Sequence, residues 1–191
     1  MRVPSRLSTL TATGESEKIQ AVSEIVIAVA LGAASWPFVE YLIHGWLSHV
    51  FQTFVTPLHW EHHREPRRVF TSPLAWVPIM VLMALGLSRW LGAPLALAGT
   101  GGLLLGFLRY EYVHWRIHFR APRSRSQAVL REHHLAHHFV RPSAYFGVTT
   151  RLFDRAFGSL PADHVEDYAR VRSRPPLTGP SNLGQLIPRS S

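Results

Sequence analysis

Apolar positions in this chain come in long unbroken runs rather than at a helical or strand period. From Ile25 to Val39 no residue is charged; Glu40 interrupts, and apolar character resumes to Leu47. Val69 to Ser88 is a second charge-free run and Trp90 to Leu108 a third, with Arg89 and the turn signal Gly92-Ala93-Pro94 marking the break between them. Runs of this length predict membrane crossings. A helix from Val22 to Leu47 is roughly 39 Å long, enough to cross a hydrocarbon core of about 30 Å and protrude. Pro37 predicts a kink in it. The second and third runs are each just long enough to cross, and together predict a hairpin. The expected fold is therefore an all-α integral membrane protein with about three transmembrane helices. Residues 1–21 are polar, lack the apolar core of a signal peptide, and are expected to be mobile. Residues 22–165 make the membrane-embedded domain. Residues 166–191 form a tail, whose Arg/Pro/Ser/Gly mixture from Arg170 onward predicts disorder.

The polar positions between these runs are dominated by histidine. Of twelve histidines in the chain, eleven fall in four groups. The first pair, His44 and His49, lies five positions apart, which turns a regular helix by about 140°, so the helix is expected to end or distort near Gly45. His59, His62 and His63 follow at spacings that put all three toward one side of a helix, with Pro57 suited to its start and Pro66 to its end. His114 and His118, four apart at the end of the third run, share one helix face and either share a metal or flank two. A new helix near Ala128 carries His134, His137 and His138 at the same spacing as the second group, with His133 as a surplus member. Buried imidazoles must be hydrogen-bonded or metal-bound, and several together repel one another if protonated. One metal rarely takes more than four protein nitrogens, so about ten candidate ligands imply two metals. The candidates are His44, His49, His59, His62, His63, His114, His118, His134, His137 and His138. His164 stands apart as a surface histidine. Glu40 reads either as an interfacial carboxylate or as an acceptor for a ligating histidine; Glu111, three residues before His114, can reach back to orient an imidazole. Asp154 either pairs with an arginine or holds a histidine.

Charge sets the orientation. The chain carries a net charge of +8, with Lys18 its only lysine and no cysteine. The missing thiols leave nitrogen and oxygen as the only metal ligands. A basic surface suits nucleic acid or anionic lipid; beside such apolar runs it points to lipid, and no nucleic-acid partner is expected. Arg64, Arg67, Arg68, Arg116, Arg120, Arg123, Arg125 and Arg131 all fall on the histidine side, whereas the hairpin turn offers only Arg89. By the positive-inside rule the histidines face the cytoplasm, in a helical cap. The two crossings between the second and third groups return the chain to that same side.

These boxes resemble the integral-membrane fatty acid hydroxylase and sterol desaturase superfamily, and within it the fatty acid 2-hydroxylases. The likeness runs from about Phe38 to Pro161. It is carried by Glu40-Tyr41-Leu42-Ile43-His44 with His49, His59-Trp60-Glu61-His62-His63, Tyr110-Glu111 with His114 and His118, His133 to Phe139, and Phe146-Gly147-Val148-Thr149-Thr150 with Asp154. The resemblance implies a dimetal site, iron in the working enzyme, that activates O2 and hydroxylates a lipid C–H bond, most simply on a fatty acyl chain drawn from the bilayer. Zinc is able to take the place of iron in purified samples but is redox-inactive. The resemblance also places Tyr110 and Glu111 near the metals, as candidates for assisting proton delivery or for hydrogen bonding to a ligand. No flavin or nicotinamide fingerprint is present, so electrons are expected from a separate electron-transfer protein. Gly45 and Phe153 depart from the arginine and tryptophan usual in the hydroxylases, and one span rather than two precedes the second box. Alternatives are a sterol- or carotenoid-type hydroxylase or desaturase, and a non-catalytic metal-binding membrane protein.

Overall fold

A computed structural model describes residues 6–178, with side chains from Gly14 onward. The described residues are helical, without a strand. Helix α1 (Arg6–Tyr41) runs directly into a π-helical segment (Leu42–Val50), followed by α2 (Val55–Arg64), α3 (Pro73–Leu91), α4 (Ala93–Phe119), α5 (Arg125–Phe139), α6 (Leu152–Ala156) and α7 (His164–Arg172). The π-helical segment packs on α1 and α2, α5 on α4 and α7, and α6 on α1.

Helix α4 packs along both α1 and α3. The approach to α1 is close because glycine lines it. A Cβ on Gly102 would stand 2.1 Å from the carbonyl oxygen of Val29, one on Gly32 2.0 Å from that of Gly99, and one on Gly106 2.3 Å from the Cβ of Trp36. Small residues at such a crossing let two backbones meet, as membrane helices often do. Trp36, Met80, Leu103 and Phe107 fill the space the three helices enclose. The outward faces stay apolar: Val26, Leu31, Val81, Leu82, Leu85, Leu97 and Leu105 are all exposed. Two helices, Gly14–Val50 and Pro73–Leu91, are long and apolar enough to cross a membrane by length and composition. The third expected crossing, in α4, is diluted by the Gly99-Thr100-Gly101-Gly102 stretch that serves its packing.

Several boundaries differ from the sequence expectation. Helix α1 starts at Arg6 and not near Val22, so the polar segment continues the helix outward. Proline is accommodated inside α1 at Pro37. Helix α5 starts at Arg125, earlier than Ala128, because Ser124 accepts a hydrogen bond from the Gln127 N–H and caps it. The tail expected to be disordered is ordered as far as it is described. Helix α7 buries Asp167, Tyr168 and Val171 against α5, and beyond it Arg131 donates to the Arg174 carbonyl while the Leu177 N–H donates to that of His118. The rest of the tail, 179–191, lies outside the described residues.

Candidate metal centre

The ten candidate histidines converge in two groups of five. Site A gathers His44, His49, His59, His63 and His137; site B gathers His62, His114, His118, His134 and His138. Within each group the ligand atoms lie within 4.8 Å of one another. Local geometry explains who goes where. The π-helix closes i→i+5 hydrogen bonds, which stacks residues five apart. His44 and His49, misaligned on an α-helix, therefore face one site. On α2, His59 and His63 are one turn apart and reach site A, while His62 is rotated toward site B. On α5, His134 and His138 are one turn apart and reach site B, while His137 turns to site A. His114 and His118, one turn apart on α4, share site B.

Nε2 atoms make the close approaches. In site A, His44 and His137 stand 3.0 Å apart, His137 and His63 3.0 Å, His49 and His59 2.8 Å, and His63 and His59 2.9 Å. In site B, His134 stands 3.0 Å from both His114 and His118. Tautomers decide what these contacts mean. Nδ1 of His44 meets the Phe146 carbonyl at 2.5 Å and that of His137 meets the Ala144 carbonyl at 2.7 Å. A carbonyl can only accept, so both Nδ1 atoms carry the proton and both Nε2 atoms present bare lone pairs. Two lone pairs facing each other at 3.0 Å repel unless a cation lies between them. The Nδ1 of His62 likewise meets the Arg68 carbonyl at 3.0 Å, leaving its buried Nε2 without a protein partner. The donor set therefore fits metal ions. With metal–nitrogen bonds of about 2.0–2.1 Å, ligands at right angles are about 2.9 Å apart and tetrahedral ones about 3.4 Å. Spacings of this order are those of nitrogens that share one ion.

Electrostatics prepares these ligands. Burial pushes His62 down to about 4 and His63 down to about 3, the latter helped by the charges of His62 and His49. Burial and neighbouring imidazoles hold His59, His134, His137 and His138 well below 6.5. All are neutral at pH 7, the form that binds metal.

The carboxylates are placed differently from expectation. Glu40 neither snorkels nor meets a histidine. It is buried and accepts from the N–H groups of Val148 and Thr149 and from the Thr149 hydroxyl. Glu111 does not orient His114, whose Nδ1 has no partner; its carboxylate accepts from the N–H and hydroxyl of Thr71, just before α3. Tyr110 stacks on His114 with ring centres 5.4 Å apart. His133, the surplus member, joins neither site; it is fully buried, bonded to the Tyr168 hydroxyl at 2.6 Å and to Asp154 at 3.0 Å. Asp154 thus holds a histidine. His164 stays away from both sites, its Nδ1 on the Pro161 carbonyl. Residues 144–149, which supply the carbonyls for His44 and His137, carried only a motif signal in the sequence.

A cavity opens from the histidines between the long helices. His44, His59, His62, His114 and Tyr110 line it beside Trp36, Trp76, Ile79, Met80 and Phe107. Candidate metal ligands and apolar side chains line one cavity.

Known proteins are similar to this chain in sequence and fold. A dihydroceramide fatty acyl 2-hydroxylase of Arabidopsis thaliana is 32% identical over 148 residues, covering 72% of this chain and 62% of that protein. The fatty acid 2-hydroxylase of Homo sapiens is 34% identical over 146 residues, covering 68% of this chain and 38% of that protein. The chain thus spans less than two thirds of the length of either relative. The solved structure of full-length scs7p, in which only the hydroxylase domain is visible, superposes with a TM-score of 0.62 at 23% identity, covering 75% of this chain and 63% of that one, a likeness of fold. Residues 29–159, holding all ten converging histidines, match the fatty acid hydroxylase family, and the chain belongs to that family.

Proposed function

We propose that this chain is a membrane-embedded dimetal monooxygenase that hydroxylates a C–H bond of a lipid acyl chain. The observation that carries this reading is the pair of bare imidazole lone pairs, His44 and His137, facing each other at 3.0 Å, with His44 lining a largely apolar cavity. Such a donor pair calls for a cation, and the cavity calls for a long apolar substrate.

Site A and site B each hold one metal, iron in the working enzyme. Bound iron supplies the activation of dioxygen, which no side chain can provide. One oxygen atom enters the C–H bond and the other leaves as water, taking up two electrons and two protons. The electrons come from a separate electron-transfer protein. The chain's own residues position and exclude. Trp36, Trp76, Met80 and Phe107 exclude water from the cavity and hold an extended chain, so that its reacting carbon lies by the histidines. Tyr110 lines the same cavity against His114 and is placed to hydrogen-bond a polar atom of the substrate. Glu111 fixes the start of α3 through Thr71 and so shapes the cavity wall.

In the membrane, α1, α3 and α4 make the three crossings. The arginines around the cap set it on the cytoplasmic side. The acyl chain enters from the bilayer between the helices.

The test is lipid profiling of cells with and without the gene under isotopically labelled dioxygen. New hydroxylated lipid carrying label from the gas is expected, and none from the His137→Ala variant. Label arriving from water, or wild-type product from that variant, refutes the reading.

A further inference from the structure

Two carboxylates far apart in sequence hold the same loop. Glu40, at the end of α1, takes the N–H groups of Val148 (2.5 Å) and Thr149 (2.9 Å) and the Thr149 hydroxyl (2.6 Å). Asp154, on α6, takes the N–H groups of Phe146 (2.7 Å) and Gly147 (2.8 Å), the Ser159 hydroxyl (2.7 Å) and the ring of His133 (3.0 Å). Both carboxylates are buried. The loop is shaped for this grip. A Cβ on Gly147 would stand 2.0 Å from the Thr150 carbonyl oxygen and 2.7 Å from Asp154. Tyr145 has φ of 63°, a left-handed backbone that a bulky residue keeps only where its surroundings impose it. Its hydroxyl donates to Asp167 at 2.5 Å and its N–H to the Ser159 carbonyl.

On either side of Tyr145 lie the Ala144 and Phe146 carbonyls, the partners of His137 and His44. Both histidines belong to site A. Site B receives nothing from this loop. Its His62 meets the Arg68 carbonyl, and the Nδ1 atoms of His114, His134 and His138 are buried without a protein partner. A carbonyl on Nδ1 fixes the tautomer and the ring, and loss of such a partner weakens metal binding by about 10–100-fold.

We propose that Glu40 and Asp154 are positioning residues for one metal only: they clamp residues 146–149, and through the Phe146 carbonyl in that loop and the Ala144 carbonyl just before it hold His44 and His137 ready for the ion at site A. The two metal sites are consequently unequal in how the protein supports them. This inference rests on the dimetal reading above.

The test separates the sites. Protein purified in detergent is titrated anaerobically with ferrous iron, and bound iron is measured against free iron. His118→Ala disables site B and leaves site A to be titrated alone; His63→Ala does the reverse. Glu40→Gln in the first background is expected to weaken iron binding about 10–100-fold, with full occupancy recovered at higher iron because all ligands remain. In the second background it is expected to change nothing. Thr149→Val, which removes one hydroxyl from the clamp, repeats the experiment with a smaller effect in the same direction and serves where Glu40→Gln does not fold. Equal weakening at both sites, or no change at site A, overturns the inference. A parent protein that binds no iron overturns the dimetal reading instead.

Discussion

Stripped of metal at the proposed sites, the protein is expected to unfold in mild acid. His62 illustrates the magnitude. It is 7% exposed, and burial lowers it from 6.5 to about 4, against a small opposing pull from the Arg68 carbonyl. Between those values the unfolded chain carries a proton that the folded chain refuses, so stability falls as pH falls, and the loss is complete below the folded value. At about 1.4 kcal/mol per unit, this single imidazole costs roughly 3 kcal/mol by pH ~4. His59, His134, His137 and His138 are displaced in the same direction. A domain holds about 5–15 kcal/mol in all, so a few such groups exhaust it. Asp154 acts in a different window. Its burial raises it, but bonds from His133, Ser159 and Gly147 prevail and hold it below 3.8, so its contribution is lost only at lower pH. Iron held at the proposed sites would oppose protonation by occupying the same lone pairs and would stabilise the folded state by mass action. The assay is far-ultraviolet circular dichroism in detergent, with chelator-stripped and anaerobically iron-loaded protein titrated in parallel. The stripped protein is expected to lose helix between pH ~6.5 and pH ~4, and the loaded protein only at lower pH. Coincident curves, or a stripped midpoint below pH ~4, refute the reasoning.

Other perturbations probe the helices, the cavity and the metal. Gly106→Val forces apart α1 and α4 at a point where even one added carbon stands 2.3 Å from Trp36, at a cost of about 1–3 kcal/mol; an unchanged melting temperature in detergent contradicts the close crossing. Met80→Trp narrows the apolar part of the cavity and is expected to shift hydroxylated products toward shorter acyl chains, read by mass spectrometry of cellular lipids; an unaltered chain-length profile argues that the acyl chain lies elsewhere. Zinc loaded in place of iron is expected to preserve thermal stability while abolishing hydroxylation, because zinc cannot change oxidation state; product from zinc-only protein contradicts a redox role for the metal.

The histidine spacings carried much of the site on their own. The misfit of His44 and His49 on a regular helix pointed to a distortion at Gly45, and the π-helical segment Leu42–Val50 is that distortion. Pairs four apart signalled shared faces, and His59/His63, His114/His118 and His134/His138 each share one group. The placement of Glu40 and Glu111 was not legible. A carboxylate's nearest polar neighbour in sequence is a natural first partner, yet Glu40 binds residues of the 148–149 loop and Glu111 binds Thr71. Only the fold brings those groups together. The ordered stretch to Thr178 was hidden for a related reason: it has no apolar period, and Arg131 and His118 hold it through backbone atoms that no sequence pattern marks.

Helices α2 and α5 each deliver ligands to both groups, which makes the numbering of these boxes a matter of rotational phase. Two alanines inserted after Glu61 would swing His62 and His63 about 200° around α2, removing His63 from site A and His62 from site B in a single step. Neither centre can drift in sequence without the other. The stretches that tolerate insertion then lie at places such as the hairpin tip at Gly92, between α3 and α4, which carries no candidate ligand.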